Sequence, residues 1–371
     1  MVFLVLGSFL ALKVFKLSLT TAVGISVFGA TVGAFVSYIY LVAKKNKNRK
    51  KFDDKVRTVN EPIITNKQII KKIILYALPF IMIDVFKSLY NYVDMVTVVK
   101  GLVKYANYTV KDAEIIMSML STWGGKFNMI LLSISTGIIV SLIPNLTSSL
   151  VKQDIIDIRA KINQSLSMLL FLTIPMAFGL SFLAKPVWTL FYGVSEFGPN
   201  LLSYFIFVGL FMGLFTSIIS VVQVLKDYKC VFYSLLVGLL LKVVLNTNLM
   251  VAFYKMGISA YYGVITASII GYLASFIICL VVLNLKYKVN YEALVKNLMD
   301  ILCGSVLMIL VLFVIKFFIP IYSNSRIFNL FIILIYSLVG SLVYLLFAYK
   351  IGILKNVFGN KINKLFNKKR K

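Results

Sequence analysis

Apolar runs of about twenty residues recur along nearly the whole of this 371-residue chain, and a run of that length crosses the ~30 Å hydrocarbon core of a bilayer as an α-helix. Lipid offers no partner for backbone N–H and C=O groups, so a spanning segment must be a helix or a strand of a closed barrel. Barrel strands alternate apolar and polar residues; these runs do not. The chain is 60% hydrophobic and only 14% charged, which sets aside a soluble protein of this size. An all-α polytopic membrane protein is expected, with ten spans at 1–12, 19–43, 73–99, 117–143, 163–184, 200–225, 231–254, 258–285, 298–319 and 328–349. The first is too short to cross and lacks the basic start of a signal peptide. It reads as the second half of a helix, and an N-terminally truncated version of a longer protein is expected.

The net charge of +26 would suggest nucleic acid in a soluble chain. Here the basic residues collect in loops, as topology determinants do. Placing 44–72 in the cytoplasm puts eleven Lys and Arg there, and alternation from that point puts 27 of the 39 basic residues inside, eight outside and four within spans. The basic tail 350–371 then lies inside as well. No nucleic-acid partner is expected, and the chain is expected in a cell membrane with 44–72 on the cytoplasmic side. There is no histidine, and Cys230, Cys279 and Cys303 form no CxxC pair. Common zinc sites, Ser-His-Asp chemistry and a disulfide framework are thereby set aside, and no cofactor is implied.

Composition divides the chain at 44–72, a polar connector ending in the turn-like Asn60-Glu61-Pro62. Segment 1–43 is expected to belong to a first bundle and the spans after the connector to a second. The stretch 100–116 is expected as an external loop with a short surface helix. Pro144 is expected to end a span, while Pro79 and Pro175 lie within spans and permit bends.

Four polar residues interrupt the third span: Asp84, Lys87, Asn91 and Asp94. At ~100° per residue they fall within an arc of roughly 80° on one helix face. Each central charge opposes insertion by roughly 2.5–3.5 kcal/mol, so a polar stripe there calls for a bundle interior or a water-filled cavity. Asp84 and Lys87 are spaced to form an i,i+3 ion pair. Asp94 has no cation three or four residues away, so it must meet a partner on another helix, sit in water or be protonated. That makes it the candidate for proton or sodium coupling. Lys126 lies in the glycine-rich TWGGKFN of the fourth span, Lys242 near the centre of the seventh with Asn246 one turn on, and Gln223 near the cytoplasmic end of the sixth. Lys126 could also snorkel outward, and Lys316 before Phe317 and Phe318 reads as an interfacial anchor. Lysines in excess of carboxylates suit an anionic substrate such as a phosphate head group carrying an apolar tail.

The run ALPFIMIDVFKSLYNYVDMVTV (77–98), with SLIPNLTSSL (141–150), LKVVLNTNLM (241–250) and GISAYYGVITASIIGYL (257–273), resembles the polysaccharide biosynthesis/stage V sporulation protein B-like flippases. These MurJ-related transporters belong to the multidrug/oligosaccharidyl-lipid/polysaccharide exporter superfamily. The resemblance implies a fourteen-helix fold of two six-helix lobes plus two extra helices, of which the ten spans correspond to the last ten. It implies export of an undecaprenyl-pyrophosphate-linked oligosaccharide such as lipid II, by alternating access of a cationic cavity. Asp84, Lys87, Asn91 and Asp94 would line the second lobe's wall, with Lys126, Lys242, Asn246 and Gln223 as further candidates. The extra helices would border a groove for the lipid tail, and the first four helices of the family's pattern have no counterpart here. A cation-coupled drug exporter of the same superfamily is disfavoured by the lysines. A polyprenyl-linked glycosyltransferase or ligase is disfavoured by short, histidine-free external loops.

Overall fold

The computed structural model describes residues 7, 9–16, 18–49 and 65–358. Most of span 1–12, the centre of the 44–72 connector and the end of the basic tail lie outside the described residues. The chain divides into two compact units, Met1–Lys72 and Ile73–Lys371. In the first, a π-helical turn at Leu10–Val14 precedes α1 (Leu19–Lys47), capped by the Ser18 hydroxyl, which accepts from the Thr21 N–H.

The described residues of the second unit are helices joined by turns. The unit takes in most of α2 (Asn66–Ala106), then α3 (Val110–Val151), α4 (Ile155–Phe182), the short α5 (Ala184–Tyr192) and α6 (Gly198–Val224). α7 (Tyr228–Lys255), α8 (Tyr261–Tyr287), α9 (Glu292–Ile315), α10 (Arg326–Ile351) and α11 (Ile353–Phe358) follow. Among the described residues eight helices are long and apolar enough to cross a membrane: α1, α3, α4 and α6–α10. They match eight of the ten expected spans. The ninth, 73–99, lies inside the 41-residue α2.

Two boundaries differ from expectation. The stretch 100–116 is not an external loop: α2 runs on to Ala106, only 107–109 turn, and α3 begins at Val110. Asn107 takes the left-handed conformation (φ 56°) that ends a helix, and Thr109 starts the next. Its hydroxyl accepts from the Asp112 N–H and donates to the Asp112 carboxylate, so the cap overrides the polar composition of the stretch. Pro144 does not end its helix, because α3 continues to Val151. Side chains beside it bond neighbouring carbonyls of the same helix: Asn145 Nδ2 donates to Ser141 O at 2.8 Å and Thr147 Oγ1 to Ile143 O at 2.7 Å.

Lipid tails are as apolar as leucine, so hydrophobicity alone does not hold membrane helices together; close approach of small residues and interhelical hydrogen bonds do. α6 is the central helix, packed by α3, α4, α5, α7 and α8. The α7–α8 pair is the tightest case. A Cβ on Gly238 would lie 2.1 Å from Ser275 Oγ and 2.7 Å from the Gly271 carbonyl oxygen, and Ser275 Oγ donates to Ser234 O at 2.7 Å. Pro175 shows the same economy in α4. Its missing N–H leaves the Phe171 carbonyl without its intrahelical donor, and the Tyr344 hydroxyl of α10 donates there at 2.9 Å. The outward surfaces of α2, α9 and α10 carry exposed Leu, Ile, Val and Phe, as lipid-facing helices do.

Candidate functional site

α2 presents two working faces, both set by the three-and-four spacing of its polar residues. Phe86, Tyr90 and Val98 pack inward, Tyr90 stacking on Tyr272 of α8 with ring centroids 4.5 Å apart. Beside that contact a cavity of about 190 Å³ opens between α2, α3, α6 and α8. Lys87, Asn91 and Asp94 line it from α2; Ser121, Gly125 and Asn128 from α3; Phe205, Val208 and Met212 from α6; Ser268 and Tyr272 from α8. Five residues of α3, Met119–Trp123, form a π-helical turn that carries Leu120 and Ser121 into the wall. Such turns recur at functional sites because the extra residue re-aims the side chains around it. Asn128 is buried, and its Oδ1, packed towards Gly209 of α6, lacks a partner among the described residues.

Behind this wall lies a dry network. Lys242 of α7 is fully buried. Its Nζ donates to Asp94 Oδ1 at 2.7 Å, Ser268 Oγ at 2.6 Å and the Val264 carbonyl at 3.2 Å. Asn246, also fully buried, donates through Nδ2 to Asp94 Oδ1 at 3.0 Å and to Thr97 Oγ1 at 2.7 Å. Asp94 thus has the interhelical partner that its own helix denies it, and it is the hinge between cavity and network: one carboxylate borders both.

The expected site residues therefore separate. Lys87, Asn91 and Asp94 come together at the cavity. Lys242 and Asn246 do not face it; they are consumed by Asp94. Asp84 is exposed on the outer edge of the stripe, in a shallow groove with Ile81, Val85, Ser88, Leu89 and Tyr92. The expected Asp84–Lys87 ion pair is not formed. The ion pairs among the described residues are Lys161–Asp157, Lys242–Asp94 and Lys286–Asp227. Three residues of helix turn the two side chains ~60° apart, and each follows its own surroundings. Lys126 is exposed and outside the cavity lining, although its neighbour Gly125 belongs to it. Gln223 is buried on α6, eleven residues or ~16 Å of helix beyond the last lining residue Met212. Sequence reasoning missed Thr97 and Ser268, although Thr97 sits three residues after Asp94 on the same face.

A second, apolar groove of about 390 Å³ runs among α3, α4, α5, α9 and α10. Phe171, Pro175, Met176, Met308, Leu312, Tyr336 and Tyr344 line it. The two tyrosine hydroxyls are tied to the carbonyls of Ile319 and Phe171, so they show the groove their rings.

No family model matches the sequence. The whole chain aligns at 30% identity, over 381 residues, with the "Lipid II flippase MurJ" of Bacillus subtilis (strain 168), covering 68% of that protein. A solved structure titled "Lipid II flippase MurJ, inward closed conformation" superposes on 96% of this chain with a TM-score of 0.66 and 16% identity. The chain covers 66% of that protein, so it spans about two thirds of the length of each. The structural likeness carries the fold, an all-helical polytopic membrane architecture. The sequence identity carries the kinship. This chain belongs to the MurJ family of lipid II flippases, multi-pass transporters of the cell membrane.

Proposed function

We propose that this chain moves a polyprenyl-pyrophosphate-linked sugar, lipid II or a close analogue, across the cytoplasmic membrane for cell-wall or polysaccharide synthesis. The observation that carries the reading is the pairing of two unlike sites in one helical unit. The 190 Å³ polar cavity holds the unpaired ammonium of Lys87, and the 390 Å³ groove is almost wholly apolar. A pyrophosphate head group suits the first, since an ammonium supplies a point charge to its oxygens. A prenyl tail suits the second. The head group engages Lys87 and the amide N–H donors of Asn91, while the tail stays in the groove beside α4, α9 and α10. In this reading 73–285 is the second lobe, 286–349 the extra helix pair, and the working cycle is alternating access. Coupling to a proton or sodium ion through Asp94 would require its ion pair with Lys242 to open in every cycle.

Reconstitution of the full chain in proteoliposomes with fluorescent lipid II tests the proposal. Protected probe should become accessible in the opposite leaflet with the native chain, and the rate should fall at least tenfold in Lys87→Ala. Unchanged flipping by a folded Lys87→Ala would remove the cavity from the proposal, and no binding of labelled lipid II by the native chain would remove the substrate.

A further inference from the structure

The seam between α7 and α8 carries a chemistry that neither the cavity nor the groove uses. The two helices run antiparallel, and small residues face one another every fourth position along each. A Cβ on Gly238 would lie 2.7 Å from the Gly271 carbonyl oxygen, and one rung further along Ser275 Oγ donates to the Ser234 carbonyl at 2.7 Å. The next rung, four residues on in α8 and four back in α7, sets Cys279 opposite Cys230. Both thiols are free, both are buried, and they hydrogen-bond one another across the seam. A disulfide requires closely facing Cα atoms, roughly 4.4–6.8 Å apart, which a seam of glycine and serine rungs favours. Access decides which sulfur reacts first. Cys279 is 0% exposed and Cys230 6%, so the edge open to solvent belongs to Cys230. Cys230 lies in the first turn of α7, where its N–H donates to Asp227 Oδ1 at 3.3 Å. That end of α7 is on the side that the charge pattern assigns to the cytoplasm. Thiols there are kept reduced and meet disulfides under oxidative load.

We infer that Cys230 and Cys279 are a redox modification site, which a low-molecular-weight disulfide converts into a covalent staple between α7 and α8. The Cys230 sulfur attacks one sulfur of the incoming disulfide, forming a mixed disulfide and releasing one small thiol. The Cys279 sulfur then attacks Cys230, forming the staple and releasing the second small thiol. The two protons of the protein thiols leave with the two released thiols. The protein pair gives up two electrons, and the small disulfide takes them. Cys303, exposed on α9, is an internal control of an accessible thiol. The inference is independent of the transported substrate, because it concerns the chemistry of one helix pair.

Incubation of the folded full chain in detergent with excess oxidised glutathione tests it, followed by denaturation, alkylation of the remaining thiols and peptide mass spectrometry. In the native chain Cys230 and Cys279 should lose their thiols together and appear as one linked pair of peptides. Cys303 should stay alkylatable or carry a single glutathione. The oxidised chain should unfold about 5 °C above the reduced one, because a cross-link constrains the unfolded state, and dithiothreitol should reverse both changes. In Cys279→Ala, Cys230 should stop at one glutathione with no thermal shift. In Cys230→Ala, Cys279 should keep its thiol. Free Cys230 and Cys279 in the native chain after this treatment would overturn the inference. So would Cys230 held as a glutathione adduct beside a free Cys279, or a linked pair that leaves the unfolding temperature where it was.

Discussion

Lys87 and Lys242 are both lysines within the helical bundle, and the molecule treats them in opposite ways. Lys87 is half-buried on the wall of an open cavity and belongs to no ion pair among the described residues. Lys242 is fully buried, with three oxygens around its ammonium. Charge inside a membrane protein has these two stable solutions, exposure to a water-filled cavity or complete pairing. The first leaves a charge available for a ligand. The second removes it from chemistry and turns it into a fastening. Asp94 stands at the border, lining the cavity with a carboxylate that the network has already neutralised.

The sharpest way to break this comparison is to remove the fastening. Lys242→Met leaves Asp94 partly buried and unpaired, and breaking such a pair from one side costs roughly 3–5 kcal/mol. Denaturant or thermal unfolding should show that loss, and Asp94→Asn/Lys242→Met should recover most of it. A double variant as unstable as the single one would mean that packing by the lysine stem, rather than charge, matters most. Gly238→Ala is next. Its Cβ would meet the Gly271 carbonyl at 2.7 Å, and backbone cannot swing aside, so overpacking of about 1–3 kcal/mol is expected in the same assay. Tyr344→Phe removes the donor that meets the carbonyl freed by Pro175. Losing one hydrogen bond of this kind costs about 0.5–1.5 kcal/mol, to be read in the same assay.

At the cavity the order reverses, with small effects on folding and large ones on transport. Lys87→Ala should change stability by no more than about 0.5 kcal/mol while lowering lipid II flipping as described above. Asp84→Asn should be the mildest of all in stability, and its transport loss should be smaller than that of Lys87→Ala, because Asp84 faces away from the cavity. A larger transport defect in Asp84→Asn would move the working face of α2 to its exposed edge.

Much of this architecture is legible in the residues. Eight of the ten apolar runs are helices that meet the length and apolarity of a span. The four-residue spacing of Lys242 and Asn246 puts them on one face, and both bond Asp94. The lack of a cation near Asp94 on its own helix left open a partner on another helix, water or protonation, of which the first is found. The beginning of α3 was also open to reading, since Thr109 and Asp112 form a capping pair. Composition masked it, because 100–116 is mixed in charge. α5 offered only nine residues with Pro186 in the first turn, too short for a span and not apolar enough throughout to stand out.

Residue order alone says that the chain crosses a membrane as helices, which segments do so, and that Lys87, Asn91 and Asp94 share one face of α2. Those follow from the cost of bare backbone and bare charge in hydrocarbon, which each segment bears on its own. Packing of the bundle sets which charge is offered and which is locked away. That depends on how far α7 and α8 rotate and how closely they approach α2, and the approach is set by Gly238, Gly271 and the Ser275 bond across the helix pair. A residue's spacing fixes the face of its own helix; which neighbour meets that face is a property of the packed bundle.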